Sequence, residues 1–195
     1  MGKDLTKVSK YISLILRHKP EEAGITLDKY GWANVDDLVN GVREHYDGTF
    51  TKKILVEIVH TDDKQRYSFD EYYKKIRANQ GHSVSIDLEL TATTPPDKLY
   101  HGTGKRTAGL IMGDGIRKQS RQYVHLSEKM STAHTVGLRH DTTCVIFEID
   151  AKQMNSDGYE FFISENGVWL TDFVPAKYLT IVYGTDELNE MMQSL

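Results

Sequence analysis

The chain has one cysteine in 195 residues, Cys144, which excludes an intramolecular disulfide and any cysteine-rich zinc site. It has only four prolines. No window approaches the apolar run that crosses a bilayer, so no membrane span is expected. Met1-Gly2-Lys3-Asp4 leads into mixed charge rather than the apolar core of a secretion signal. A cytoplasmic protein is the expectation. An excess of basic charge is also missing: residues 1–95 carry 14 Lys and Arg against 15 Asp and Glu, and residues 96–195 carry 10 against 13. A protein that grips long duplexes shows a broad basic footprint. RNA, if handled here, is handled through a few local arginines and a small contact area. There is no P-loop, no Gly-x-Ser-x-Gly elbow and no complete Gly-x-Gly-x-x-Gly. The eight histidines show no metal-ligand pairing with carboxylates at helical spacing, and no metal is expected.

What is present reads as two halves. In the first, Leu5, Val8, Ile12 and Ile15 form one apolar helical face that should stop before Pro20. Asn34 is placed to cap a second helix with Val35, Leu38, Val39 and Val42 inward. Thr51 is placed to cap a third with Ile54, Leu55, Ile58 and Val59 inward. Short strands follow at Gln65–Phe69 and Ile76–Ala78, and three helices with a hairpin suggest a winged-helix module. Val84 to Leu90 alternates apolar and polar and is expected to be a strand. Thr93-Thr94-Pro95-Pro96 marks the change to the second half. There, strands are expected at 98–100, 124–126, 144–149, 161–163, 168–170 and 179–183, with helices near 106–112 and 128–137. The fold class is α+β, with a largely antiparallel sheet in the second half.

The chemistry-bearing segments are few. Tyr100-His101-Gly102-Thr103-Gly104 reads as a strand entering a glycine-rich turn. Arg121-Gln122-Tyr123-Val124-His125-Leu126-Ser127 sets His125 and Ser127 on one strand face, with Val124 and Leu126 on the other. Glycines permit close backbone approach to a ligand, and hydroxyls and imidazoles suit ribose and phosphate, so these segments are equipped to hold a dinucleotide without a metal. Arg17 and His18 end a helix, where the dipole alone would favour cations; the alternative is an anion clamp. Arg66 and Arg121 can each be simple solvated arginines. Arg139 and His140, after Val136-Gly137-Leu138, end a helix, where a structural role for the cations is again the simpler reading. Glu165-Asn166-Gly167 reads as a hairpin turn, and Cys144 as a buried strand residue.

Taken jointly, Leu16-Arg17-His18-Lys19-Pro20, Lys64-Gln65-Arg66-Tyr67, Gln80-Gly81-His82-Ser83, Tyr100-His101-Gly102-Thr103, Arg121 to Ser127, Val136-Gly137-Leu138-Arg139-His140 and Glu165-Asn166-Gly167-Val168-Trp169-Leu170 resemble the KptA-type RNA 2′-phosphotransferases over nearly the whole chain. Asp141 departs from the glycine common in that family and could alter the local turn.

The resemblance implies an N-terminal winged-helix RNA-binding lobe, 1–92, and a C-terminal ADP-ribosyltransferase-like lobe, 93–195, that binds NAD. It implies removal of an internal, splice-junction type 2′-phosphate from RNA in two steps. The 2′-phosphate attacks the nicotinamide ribose of NAD, giving ADP-ribosylated RNA. The ribose 2″-hydroxyl then attacks phosphorus, releasing 2′-hydroxyl RNA and ADP-ribose 1″,2″-cyclic phosphate. The family's catalytic set carries over to Arg17, His18, Arg66 and Arg121, three in the first half and Arg121 in the second. NAD contacts carry over to His101, Gly102, Thr103, His125 and Val168, with Ser127 and Arg139 as further candidates. An apolar third position, Val168, speaks against a protein acceptor. The implied partner is a 2′-phosphorylated RNA, tRNA-like or a short oligonucleotide, and a monomer is favoured. The rival reading is a one-step ADP-ribosyltransferase acting on nucleic-acid phosphate ends or protein; a second rival is a winged-helix regulator that only senses NAD.

Overall fold

The computed structural model describes residues 5–139 and 141–184. Met1 to Asp4 and His140 lie outside them. The chain divides into two compact units, Met1–Leu90 with Ser120–Gln122, and Thr91–Gln119 with Tyr123–Leu195.

The first unit is built on three helices. The apolar stripe starting at Leu5 forms α1 (Leu5–Arg17), with Val8, Ile12, Ile15 and Leu16 buried. The amides of both His18 and Lys19 bond the Leu14 carbonyl, closing the helix ahead of Pro20. A 3-10 turn, Pro20–Ala23, then ends at Gly24 in the left-handed region. The Asn34 side chain accepts from the amides of Asp36 and Asp37 and starts α2 (Val35–His45). Thr51 accepts from the Ile54 amide and starts α3 (Lys52–His60). Both are expected caps, each satisfying amides the helix cannot bond internally.

The hairpin forms as β2 (Tyr67–Phe69) against β3 (Lys75–Ala78), and a two-residue strand, β1 (Ala33–Asn34), joins the far edge of β3. Two residues are too few to show a period, which is why β1 was not foreseen. Ile76, Ala78 and Tyr67 face the helices. Leu16, Leu38, Val42, Phe50 and Leu55 complete this core without solvent exposure.

The segment expected as a strand from Val84 to Leu90 is not one. Its residues do alternate between half-buried and exposed, but no neighbouring strand pairs with it. Its amides go elsewhere: Ser83 and Val84 bond the Arg17 carbonyl and Asp87 bonds the Lys29 carbonyl. Glu89 adopts φ +55°, which breaks an extended run. Alternation records which side chains are inward; a ladder needs a partner as well.

The second unit is antiparallel throughout its described ladders. β4 (Lys98–Gly104) pairs along its whole length with β7 (Cys144–Asp150), and β11 (Leu179–Tyr183) pairs with the other edge of β7. A second sheet has β6 (Val124–Leu126), β9 (Trp169–Thr171) and β8 (Phe162–Ile163) in that order. β5 (Ile116–Arg117) and β10 (Phe173–Val174) form a small third pair. α4 (Lys105–Asp114), α5 (Met130–Gly137) and a short α6 (Ala151–Ser156) complete the unit. Leu99, Val145, Phe147, Ile149, Phe161 and Leu126 lie in its core. Cys144 is a free, buried strand residue whose thiol burial pushes up in pKa. The fold is therefore α+β. No helix among the described residues is long and apolar enough to cross a membrane.

Candidate active site

The first unit gathers a cluster of cations. Arg17 is the last residue of α1, and its side chain runs beside Gly81. A Cβ at Gly81 would sit 3.6 Å from Arg17 Cδ and Nε, and Gly81 itself holds φ +90°. The positive φ is what calls for glycine there, since a Cβ would meet Arg17 only at ordinary contact distance. Arg17 Nε and Nη2 are buried and have no hydrogen-bond partner among the described residues. Burial holds the Arg17 pKa below the usual guanidinium range; Tyr67 opposes this, Arg66 and Arg121 add to it, and Asp62 opposes it. Charged donors left unpaired in a buried position are costly, and native proteins keep few of them. Such a group has donors free to receive an anion.

Arg66 precedes β2 rather than lying in it. Gln65 takes φ +44°, and Asp62 accepts from the Arg66 amide at 2.7 Å and forms an ion pair with its guanidinium. The Asn79 amide bonds the Arg66 carbonyl. Arg66 is thus aimed from a fixed turn.

Arg121 belongs to the first unit although it comes from the second half of the sequence. The Gln122 amide donates to the His82 carbonyl at 3.0 Å, and Gln122 Nε2 donates to the Ile86 carbonyl at 2.8 Å. These bonds seat residues 120–122 against the segment that failed to become a strand. The four residues of the implied catalytic set, Arg17, His18, Arg66 and Arg121, therefore lie on one unit.

His18 is half-buried, and its Nδ1 is 2.9 Å from Ser83 Oγ. Burial, then Arg17, then Arg121 hold its pKa below the ordinary imidazole value. His82 is 1% exposed. Both of its ring nitrogens are without hydrogen-bond partners among the described residues. Burial and then Arg17, His18 and Arg77 lower its pKa to about 3. It is a neutral imidazole among cations.

The second unit holds the other set. His101 to Gly104 are strand, not turn: β4 continues to Gly104, and α4 starts at the next residue. A Cβ on Gly102 would meet the Ala133 carbonyl at 1.8 Å, and one on Gly104 would meet Asp141 Cβ at 2.6 Å. The glycines let α5 and the Asp141 turn press onto β4. Asp141, the departure from the family glycine, thus packs over Gly104 and accepts from the Thr143 amide.

His101 Nδ1 lies 3.2 Å from the His125 carbonyl, and Tyr100 exchanges both backbone bonds with Ser127. These contacts bring β4 and β6 together, and with them His101, His125 and Ser127. As expected, Val124 and Leu126 are buried while His125 and Ser127 are only partly so. Thr103 is buried, its amide close to Gly137 at the end of α5. Arg139 is exposed just past that helix. Val168 closes the Glu165–Gly167 turn, its amide bonding Ser164 Oγ and its carbonyl accepting from the Ser164 amide. Among the described residues, no three His, Cys, Asp or Glu side chains are grouped to hold a metal ion.

A family model described as RNA 2'-phosphotransferase, Tpt1 / KptA family, matches residues 3–173. The chain belongs to this family. It is 48% identical over 173 residues to a probable RNA 2'-phosphotransferase of Fusobacterium nucleatum, covering 89% of this chain and 96% of the relative. It is 48% identical over 175 residues to a protein of the same description from Nostoc punctiforme, covering 90% and 96%. A third, from Acaryochloris marina, is 46% identical over 182 residues, covering 93% and 99%.

For this Tpt1 / KptA family member, sequence patterning passed over Asp62, His82 and Ser83 as parts of the cluster. Asp62 shows a usable signal, since it lies four residues before Arg66 with a turn between them. His82 and Ser83 show none by spacing. They reach Arg17 and His18 across 65 residues of chain.

Proposed function

We propose that the protein is an NAD-dependent RNA 2′-phosphotransferase that removes an internal, splice-junction type 2′-phosphate. Its products are 2′-hydroxyl RNA, nicotinamide and ADP-ribose 1″,2″-cyclic phosphate. The observation that carries this reading is Arg17, whose Nε and Nη2 are buried and unpartnered among the described residues, near Arg66 and Arg121. Three arginines match a phosphate dianion, which offers several acceptor oxygens and enough charge to offset their mutual repulsion. Three helices with a small sheet support a winged-helix RNA-binding unit. The antiparallel sheets of the second unit support the ADP-ribosyltransferase-like reading. The site of action is the cytoplasm and the working form a monomer.

The donor set of the second unit fits a dinucleotide. His101, His125 and Ser127 lie on adjoining strand positions, partly exposed, with Thr103 further along β4. Imidazoles and hydroxyls of this kind satisfy ribose hydroxyls and phosphate oxygens. Gly102, Arg139 and Val168 belong to the same proposed set. When bound, NAD supplies an electrophilic ribose carbon with a neutral leaving group and the neighbouring hydroxyl that accepts the phosphate.

The residues of this chain do the rest. Arg17, Arg66 and Arg121 hold the 2′-phosphate as nucleophile and then stabilise the charge gathered on phosphorus during transfer. His18 Nε2 gives its proton to the RNA 2′-oxygen as that oxygen's bond to phosphorus breaks. The bond to the accepting hydroxyl forms meanwhile, and that hydroxyl's proton leaves to solvent. Burial and then the cations beside His18 lower its pKa in the free protein; a bound phosphate dianion opposes both and lets the proton be carried.

The test is a short RNA with one internal 2′-phosphate, incubated with protein with and without NAD in the presence of a chelator. NAD-dependent conversion to a 2′-hydroxyl with release of the cyclic phosphate is the expected result. Accumulated ADP-ribosylated RNA would favour the one-step transferase, and unchanged RNA would overturn the proposal.

A further inference from the structure

The Gly81-His82-Ser83 segment has no part in the chemistry above, yet it touches most of the cation cluster. The Arg17 side chain runs beside Gly81. The Ser83 amide donates to the Arg17 carbonyl at 3.0 Å, and the His82 carbonyl accepts from the Gln122 amide next to Arg121 at 3.0 Å. Ser83 Oγ is 2.9 Å from His18 Nδ1. One short segment therefore fixes the end of α1, the seat of residues 120–122 and the plane of the His18 ring.

We propose that Ser83 is a positioning residue for His18: its hydroxyl oxygen accepts from Nδ1–H, so that Nε2 carries the mobile proton toward the phosphate. The inference rests on the phosphotransferase reading for its catalytic consequence, but its geometric part stands alone. A histidine that must give up a proton from one nitrogen works best when the other is held by a partner that keeps it protonated before and after transfer. A serine hydroxyl does this without adding a negative charge. An aspartate at the same place would form an ion pair with Arg17 or Arg121 and weaken the cluster's hold on phosphate. The groups facing His18 are Arg17 from its own helix, Arg121 from residues 120–122, and His82 and Ser83 from the segment itself. Arg17 and Arg121 both disfavour the imidazolium, and His82 stays neutral. Ser83 is the one neighbour in this group whose hydrogen bond supports the charged form. His82, buried near enough to Arg17 to feel its charge, is an uncharged ring, so the site gains no further cation near pH 7.

The test compares Ser83→Ala and Ser83→Thr with the parent protein in two measurements. The first is the His18 ring by nitrogen–proton correlation NMR without substrate, which does not depend on the function assigned. Ser83→Ala is expected to lower the His18 pKa further and raise the share of the tautomer protonated at Nε2 alone; Ser83→Thr should restore the parent behaviour. An unchanged His18 titration and tautomer in Ser83→Ala would overturn the proposal. The second is turnover of 2′-phosphorylated RNA with NAD. Ser83→Ala should reduce kcat about tenfold, a fraction of what a general acid contributes, with KM little changed and the alkaline limb of kcat moved to lower pH. A fall in kcat with no displacement of that limb would reduce Ser83 to a packing role and also overturn the proposal. Should the parent protein itself leave the RNA unchanged, the phosphotransferase reading fails, while the NMR comparison still decides the place of Ser83.

Discussion

Arg17 carries the least compensated charge among the candidate residues. Its buried Nε and Nη2 are unpaired, whereas Arg66 has Asp62. A residue retained for binding at the expense of stability shows the two effects with opposite sign. Arg17→Met should therefore cut turnover on the order of 100-fold or more, while the Tm stays level or rises because a desolvated cation has gone. Thermal denaturation beside a turnover assay reads both; a large fall in Tm would mean that Arg17 is structural. Arg121→Ala should show a comparable loss of rate, and near-normal turnover would remove it from the phosphate set. At this scale the motif residues could be named from spacing and resemblance. Their partners could not. Nothing in the spacing of Ser83 says that its hydroxyl meets His18, since a contact across 65 residues depends on where two loops are brought by the packing of α1 against β3.

Among the elements, the glycine-rich stretch after Tyr100 is strand rather than the expected turn. Gly102 and Gly104 lie in β4 because α5 and Asp141 approach too closely for a Cβ. Composition alone does not separate a glycine needed for a bend from one needed for close packing. Gly102→Ala should destabilise the protein by about 2 kcal/mol or more, since the new methyl would overlap the Ala133 carbonyl and α5 would have to shift. A denaturant titration gives the value, and a change below about 0.5 kcal/mol would be hard to reconcile with that packing. The helix caps were legible, since Asn34 and Thr51 act locally on amides two or three residues ahead. Asn34→Ala should cost about 1 kcal/mol. The Val84–Leu90 segment was not legible, since its alternation is real but its hydrogen bonds go to Arg17 and Lys29.

For the whole molecule, charge and pH are the informative variables. His82 has a folded pKa of about 3 against an ordinary 6.5. Above pH 6.5 the ring is neutral in both folded and unfolded chains, and its contribution is complete. As pH falls from 6.5 toward 3, the unfolded chain takes up a proton that the folded chain refuses, so stability is lost across that window. The loss amounts to several kcal/mol at most. His82→Leu should flatten this part of the Tm-against-pH curve; a parallel curve would mean that another group drives the acid sensitivity. The net charge of −4 and the lack of a basic half leave RNA binding to a few arginines. With the three cations of the proposed phosphate set, the slope of log affinity for single-stranded RNA against log salt should be about −2. A slope several times steeper would reveal an extended basic surface.

The sequence by itself determined the helices, their caps, the α+β class, the strand faces of β6 and the segments that mark the family. All of these depend on short-range periodicity, local hydrogen bonding or ordered motifs. Only the tertiary structure decided that Arg121 joins the first unit, that Gly102 serves packing, that residues 84–90 form no ladder, and that His82 and Ser83 stand behind Arg17 and His18. Each of these depends on which distant backbone groups are near enough to bond, and that is set by how the buried faces pack together.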